Sequence, residues 1–339
     1  MPAAKIPDEA FIREYTEMRE RGLSYRDIGR QMGLSKSAVI RRAQKKGLTD
    51  LNTPAPDEID IVKLKEWKKE VFDAQHRAEE KNKLIDVKLN IGGPFGLLVF
   101  GDPHIDADGC DIEELYRHAK LTRDVDGLFG CTPGDMTNNW VNRLARLWEH
   151  ESISSAQSRA LGEDFVNSVD WLFIVAGNHD LWIADGALLE SWIPDQVVNK
   201  PSEVRLRICP PRGEKFIINC RHDWAGTSQW NPAHGPMKAA LMGPDDHVFL
   251  CGHKHVSAYS FIKKGSGRIA HAVKVATYKI YDRYARDHGF RDQNVAPGCV
   301  LVFQPEAERE TQKVMFYVDV DEGVEALKRK RQQYRRSIS

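Results

Sequence analysis

Five short apolar runs in this 339-residue chain each stop at a turn bearing acidic, amide or imidazole side chains, and that recurrence limits the fold more than any other feature. Val99 and Phe100 run into Gly101, Asp102, Pro103, His104, Ile105 and Asp106. A second strand-like stretch ends at Gly134, Asp135, Met136, Thr137 and Asn138, and Trp171–Ala176 ends at Gly177, Asn178, His179 and Asp180. Lys215–Cys220 leads into Arg221, His222 and Asp223, and His247–Cys251 into Gly252, His253, Lys254 and His255. Short apolar runs bounded by turn signals read as buried strands, and the helical spacing of 111–123 and 140–167 between them makes the pattern α/β. In parallel sheets ligands bind outside the carboxyl ends of the strands, which places the five turns on one rim. Glycine lets the backbone turn sharply there. Taken singly each turn is ordinary, since Gly-Asp is a common turn and histidine is often a satisfied core residue.

In chain order the turns read Asp-x-His, Gly-Asp-x-x-Asn, Gly-Asn-His-Asp, a lone His and Gly-His-x-His. This set resembles the calcineurin-like metallophosphoesterase superfamily from about residue 84 to 322. Within it the DNA-repair nuclease branch is the nearest in kind, although the chain has no long coiled-coil insertion and no obvious large capping domain after the last motif. The resemblance implies an α/β fold, a four-layer α-β-β-α sandwich of two mixed sheets flanked by helices, with a dinuclear metal centre at one rim. Carried over by motif, one metal falls to Asp102, His104, Asp135 and His255, and the other to Asp135, Asn178, His222 and His253, with Asp135 bridging. The implied cofactors are two divalent transition-metal ions, manganese foremost, and mixed carboxylate and imidazole donors also suit iron, zinc or nickel. Two such ions share a hydroxide nucleophile and clamp the phosphoryl oxygens. His179 is the implied catalytic residue, stabilising the transition state or protonating the leaving oxygen, with Asp180 fixing its orientation. Asp106, Asn138 and Asp223 lie inside the motifs and are expected to orient ligands rather than bind metal.

The charges cancel overall, 49 Lys+Arg against 49 Asp+Glu, but not locally. From Arg26 to Lys46 the cations Arg26, Arg30, Lys36, Arg41, Arg42, Lys45 and Lys46 face the single anion Asp27. Ser24 and Asp27 form a capping box that opens a helix through Met32, Gly33 ends it, and Ser35 caps the next helix over 36–44. Val39 is spaced to pack against Ile28, and an earlier helix, Asp8–Glu20, offers Phe11, Tyr15 and Met18. Residues 8–48 resemble a helix-turn-helix. That implies an all-α domain whose second motif helix enters the major groove of double-stranded DNA, with Lys36, Ser37, Ile40 and Arg41 toward bases and Arg42, Lys45 and Lys46 toward phosphates. A small helical bundle used for protein contacts is the alternative.

Pro54 and Pro56 mark a linker, so the expected organisation is a helix-turn-helix domain at 1–50, a linker and connecting helix at 51–83, the metallophosphoesterase domain at 84–322 and a basic tail at 323–339. The connecting helix carries Leu64, Trp67, Val71, Ala74 and Ala78 as an apolar stripe, suited to packing on either domain or to forming a homo-oligomer with a second copy.

The motifs define chemistry but not substrate. A DNA-binding module on the same chain makes a nuclease or phosphodiesterase acting on DNA the economical expectation. Trp140, Arg143 and Arg146, and the alternation of Tyr278, Lys279, Tyr281, Arg283, Tyr284 and Arg286, suit bases stacking on rings while cations track phosphates, or else a packed helix with a solvated face. Trp182, Trp192, Trp224 and Trp230 fit better as wall and core of the rim. The alternatives are a small-molecule or phosphoprotein phosphatase localised by its helix-turn-helix, and a non-catalytic DNA-binding regulator. With 41% hydrophobic and 29% charged residues the chain is globular. Its longest apolar runs, 97–100 and 171–176, fall far short of the roughly 18 residues of a membrane span. No secretory signal is visible, and six scattered cysteines without a Cys-x-x-Cys pair suit a reducing, cytoplasmic setting and argue against a thiolate zinc site.

Overall fold

The computed structural model describes residues 7–21, 23, 25–34, 36–46, 48, 60–289 and 292–338. They fall into two compact units, Met1–Arg77 and Ala78–Ser339. The expected caps Ser24 and Ser35, the linker prolines and the Ser37 side chain lie outside the described residues.

The first unit holds α1 (Asp8–Glu20), α2 (Tyr25–Met32) and α3 (Lys36–Lys45). Residues four apart share a helix face, and each helix gives one such pair to a common core: Phe11 with Tyr15, Ile28 with Met32, Val39 with Ala43. Gly33 ends α2 at φ +64°, and the Leu34 N–H donates to Gly29 O at 2.8 Å, which closes the helix end as a Schellman turn. α4 (Ile61–Asn82) follows, with Leu64, Trp67 and Val71 exposed.

The second unit comprises, in order, β1 (Ile85–Lys88), β2 (Phe95–Phe100), α5 (Ile112–Asp124), β3 (Leu128–Thr132), α6 (Ser155–Ser168), β4 (Trp171–Ala176), α7 (Asn178–Leu181), α8 (Ala187–Glu190), β5 (Val198–Pro201), β6 (Glu203–Cys209), β7 (Phe216–Arg221), α9 (His234–Met242), β8 (Val248–Cys251), β9 (Ala258–Lys263), β10 (Ile269–Lys274), α10 (Arg283–Asp287), β11 (Gly298–Phe303), α11 (Glu310–Lys313), β12 (Val314–Tyr317) and α12 (Val320–Ile338). Two six-stranded sheets form, ordered β1-β6-β7-β8-β10-β9 and β12-β11-β2-β3-β4-β5. Alternate side chains of a strand point to opposite faces, and β2 uses both. Phe95, Leu97 and Val99 join Leu206, Ile218 and Leu250 in a core between the sheets. Leu98 and Phe100 pack outward with Leu115, Phe165 and Leu327 of α5, α6 and α12. On the far face of the first sheet, Ala240 of α9 covers Phe249 and Ala270. Helices therefore flank both sheets, and each fully buried large apolar side chain stabilises the stack by roughly 1.5–3 kcal/mol.

Two expectations change in detail. The helical reading of 140–167 divides into a 3-10 segment, Asn142–His150, and α6. Ser154 starts the new helix with a capping box to Gln157. Just before it, the Ser152 N–H donates to Asp108 Oδ1 at 2.9 Å and the Asp108 N–H to Glu151 Oε2 at 2.8 Å, which fixes the break between the two segments. The basic tail begins inside α12, where Val324, Ala326 and Leu327 are buried and Arg331 pairs with Asp126 at 2.6 Å. Among the described residues no helix is long and apolar enough to cross a membrane.

Candidate metal centre

β2, β3 and β4 run parallel in one sheet, and β7 and β8 run parallel in the other, so their carboxyl ends gather at a rim. The turns there are tight. His104, Asp135, His253 and His255 adopt left-handed φ of +40°, +58°, +66° and +53°. Such backbone costs roughly 1–3 kcal/mol per non-glycine residue and collects at functional sites. Gly134, at φ +126°, lies so close to Gly177 that a Cβ would stand 2.6 Å from the Gly177 Cα. A Cβ on Gly252 would overlap Asp102 Oδ1 and stand 2.9 Å from Pro133 Cγ. The glycines of the motifs are thus the condition for strand ends and ligand carboxylates to approach.

All seven residues expected to bind metal meet here. Their ligand atoms form overlapping groups, Asp102 with His104 and His255, His104 with Asp135 and His179, and Asp135 with His222 and His253, each within 4.8 Å. Asp135 Oδ2 lies 3.2 Å from His222 Nε2 and 3.9 Å from His104 Nε2. His222 Nε2 is also 2.9 Å from Asn178 Oδ1 and 3.0 Å from His253 Nδ1, and His255 Nε2 is 3.5 Å from Asp102 Oδ2.

This donor set fits divalent cations. Asp102 Oδ1 and both ring nitrogens of His104 are buried with no hydrogen-bond partner, an arrangement that costs free energy unless another group satisfies it. Burial pushes the Asp102 carboxyl well above its ordinary range and His104 well below, and brings His253 and His255 down to about 4. Neutral imidazole is the ligating form. Burial also opposes ionisation of Asp135, but the charges of His222 and His179 outweigh it and hold this carboxylate ionised.

A surrounding layer sets the orientations. His222 Nδ1 contacts Pro133 O at 2.9 Å, which leaves Nε2 toward the centre. Asp106 accepts from Asn138 N–H at 2.7 Å and Ser158 Oγ at 2.8 Å, and Asn138 Nδ2 donates to Glu151 Oε1 at 3.2 Å. Asp223 pairs instead with Lys254 at 3.6 Å. Asp180 is engaged by backbone. Its carboxylate accepts the N–H groups of Asp135, Met136 and Gly177 at 2.8, 3.0 and 2.8 Å, locking two strand ends together. His179 is held through Nδ1 by Asn138 O at 2.5 Å, which leaves its Nε2 3.9 Å from Asp135 Oδ2.

The aromatic and basic hints divide. Trp140 and Trp182 stand 5.0 and 4.1 Å from the His179 ring. Tyr278 is fully buried and bonded to His118 at 2.6 Å, so it is unavailable for stacking. Trp192 is core, Trp224 packs on Phe249, and Trp230 and Tyr281 are exposed. Arg146 and Arg286 are exposed, and the side chains of Arg143, Arg283 and Tyr284 lie outside the described residues. Glu151, Ser158 and Thr277, whose Oγ1 donates to Asp102 O at 2.6 Å, belong to no motif and carry no signal in the sequence.

In the first unit Lys36, Arg41 and Lys45 are exposed on α3, and Ile40 is half-buried. Arg42 and Lys46 both pair with Asp8 of α1 at the surface of the bundle, Arg42 at 2.8 Å with its guanidinium over Phe11.

No protein-family model and no curated protein matches the chain. Some solved structures are similar to it at low identity. They include the NAD nucleotidase NadN of Haemophilus influenzae, at 11% identity and TM-score 0.38, covering 66% of this chain and 49% of that one. A 5'-nucleotidase precursor of Thermus thermophilus is 10% identical at TM-score 0.36, over 72% and 59%, and the calcineurin-like phosphoesterase YfkN of Bacillus subtilis is 10% identical at TM-score 0.36, over 71% and 97%. The chain thus spans about half the length of the first and under two thirds of the second.

Proposed function

We propose that the second unit is a calcineurin-like metallophosphoesterase, a dinuclear metal-dependent phosphodiesterase or nuclease acting on DNA, and that the first unit is a helix-turn-helix that brings it there. The observation that carries the reading is the convergence of seven ligand residues, Asp135 at their middle, from five strand ends. Asp102, His104, Asp135 and His255 would hold one ion, and Asp135, Asn178, His222 and His253 the other. When bound, such a pair of ions neutralises charge on the phosphoryl oxygens and supplies an activated water.

The protein's own groups do the rest. Asn138 O holds the Nδ1–H of His179, so Nε2 faces the centre; the imidazolium form would give its Nε2 proton to the leaving oxygen and be left as the neutral Nδ1–H tautomer. Pro133 O keeps His222 in the tautomer that points Nε2 inward. Asp180 preserves the spacing of the Asp135 and Gly177 turns, and Trp140 and Trp182 shield His179 from water. Lys36, Arg41 and Lys45 are the groups for DNA phosphates and bases, α4 is a pairing surface for a second copy, and a reducing, cytoplasmic setting agrees with six free cysteines.

One observation favours a second reading, a phosphatase of small esters localised by its first unit: Asp8 engages two of the cations otherwise assigned to DNA. Manganese-dependent hydrolysis of labelled single- and double-stranded DNA, with an aryl diester and an aryl monoester in parallel, separates the two. DNA cleavage lost in Asp135→Asn supports the nuclease; ester turnover with intact DNA supports the phosphatase; no turnover of any phosphoester refutes both.

A further inference from the structure

Lys279 stands beside the candidate centre and takes no part in its ligand set. It is buried, 8% exposed, with Nζ 5.3 Å from the centroid of the Trp140 ring, which itself packs 5.0 Å from the His179 ring. Its backbone is tied to a ligand residue. Thr277 Oγ1 and the Tyr278 N–H both donate to the Asp102 carbonyl, at 2.6 and 3.2 Å, and the Lys279 N–H donates to Thr277 Oγ1 at 3.0 Å.

An ammonium carries three donors, and Asp282 Oδ1, at 3.4 Å, accounts for one. The neighbouring Trp140 Nε1 is buried with no hydrogen-bond partner. Indole N–H groups find a partner when buried, because leaving one unpaired costs free energy. Lys279 thus keeps donors beyond the one that Asp282 takes, and the indole N–H of the ring beneath it has no acceptor in the protein, so an anion is the group that both would accept.

We propose that Lys279 and the Trp140 Nε1–H form an oxyanion subsite that takes a negatively charged phosphate oxygen of the substrate. The proposal rests on the phosphoesterase reading for its biological meaning but not for its binding chemistry. The oxygen belongs either to the ester being cleaved or to the next phosphate of a polynucleotide, and both present the same acceptor.

The test is calorimetric titration of inorganic phosphate into the full chain, with thermal unfolding as the check on folding. Lys279→Met keeps the apolar stem and removes the charge; the expected loss is roughly 10- to 100-fold in phosphate affinity, the worth of a charge-assisted hydrogen bond. Trp140→Phe keeps a ring and removes the N–H, with a smaller loss of roughly 3- to 10-fold, and Lys279→Arg restores most of the binding. Should Lys279→Met fold poorly, Trp140→Phe and Lys279→Arg still decide. Unchanged phosphate affinity in Lys279→Met and Trp140→Phe, or no phosphate binding by the wild type, overturns the subsite. KM then separates the sources: a rise for both an aryl diester and an oligonucleotide places the subsite on the cleaved phosphate, and a rise for the oligonucleotide alone places it on the neighbour. A wild type that binds phosphate through these two residues yet hydrolyses neither ester refutes the phosphoesterase reading and leaves the subsite standing.

Discussion

Gly177→Ala isolates the close packing on which the candidate centre depends. Gly177 has φ −80° and ψ −178°, a conformation alanine adopts freely, so the substitution acts through space alone. The new Cβ would overlap Asp135 Oδ1 and stand 2.7 Å from both Asp135 N and His222 Cε1. Ordinary contact begins at 3.4 Å, so Asp135 N and His222 Cε1 must retreat by about 0.7 Å (3.4 − 2.7) and Asp135 Oδ1 by more, and both residues are buried and cannot move independently. Overpacking of this kind costs about 1–3 kcal/mol of stability. Misplacing reacting groups by about 1 Å costs about 100-fold in rate. Turnover of an aryl diester should therefore fall by about that factor and manganese should bind more weakly, while Gly265→Ala, whose Cβ would meet nothing within 4 Å, should leave both unchanged. Wild-type turnover and wild-type manganese affinity in Gly177→Ala would refute the reasoning.

Three further outcomes are expected. His179→Ala should keep its metal by elemental analysis but lose about 10²- to 10⁴-fold in kcat, and an unchanged rate would remove its role in proton transfer. Replacing Lys36, Arg41 and Lys45 together by alanine should weaken double-stranded DNA binding and flatten its salt dependence by roughly one in slope per lost phosphate contact, with the aryl diester spared; an unaltered slope would move the DNA surface elsewhere. His118, buried against Tyr278, Glu114 and Arg117 with the charges of Asp321 and Asp111 beyond them, is brought down to about 4, chiefly by burial. An unfolded histidine titrates near 6.5, so the unfolded chain binds the extra proton between these values and stability falls as pH drops from 6.5 toward 4, by up to about 3 kcal/mol. Denaturant unfolding across that window should be less steep in pH for His118→Asn, and an identical slope would deny the contribution.

The parts of the fold legible in the sequence are those where one local rule decides. β2 reads as a continuous apolar run because the intersheet core covers Phe95, Leu97 and Val99 while helices cover Leu98 and Phe100. The ligand turns are legible because glycine, carboxylate and imidazole must follow a strand end directly for the geometry to close. Long-range pairing is where reading fails. Arg42 and Lys46 read as free cations of one helix, and nothing local announces that Asp8, 34 residues from Arg42, pairs with both. Asp180 sits next to His179 in sequence, yet three convergent backbone N–H groups outcompete the imidazole for its carboxylate. Lys279 is one cation in an alternating aromatic and basic stretch until the fold sets it over Trp140, 139 positions away (279 − 140). Tyr278, its neighbour in that stretch, faces the core instead.

The central claim is a pair of metal ions held through a shared Asp135. The direct measurement is manganese titrated into metal-free protein, with bound metal counted per chain, for the wild type and for Asp135→Asn. Two ions in the wild type, both weakened together in the variant, is the predicted result. Fewer than two ions in the wild type, or two ions bound undiminished by Asp135→Asn, would contradict it.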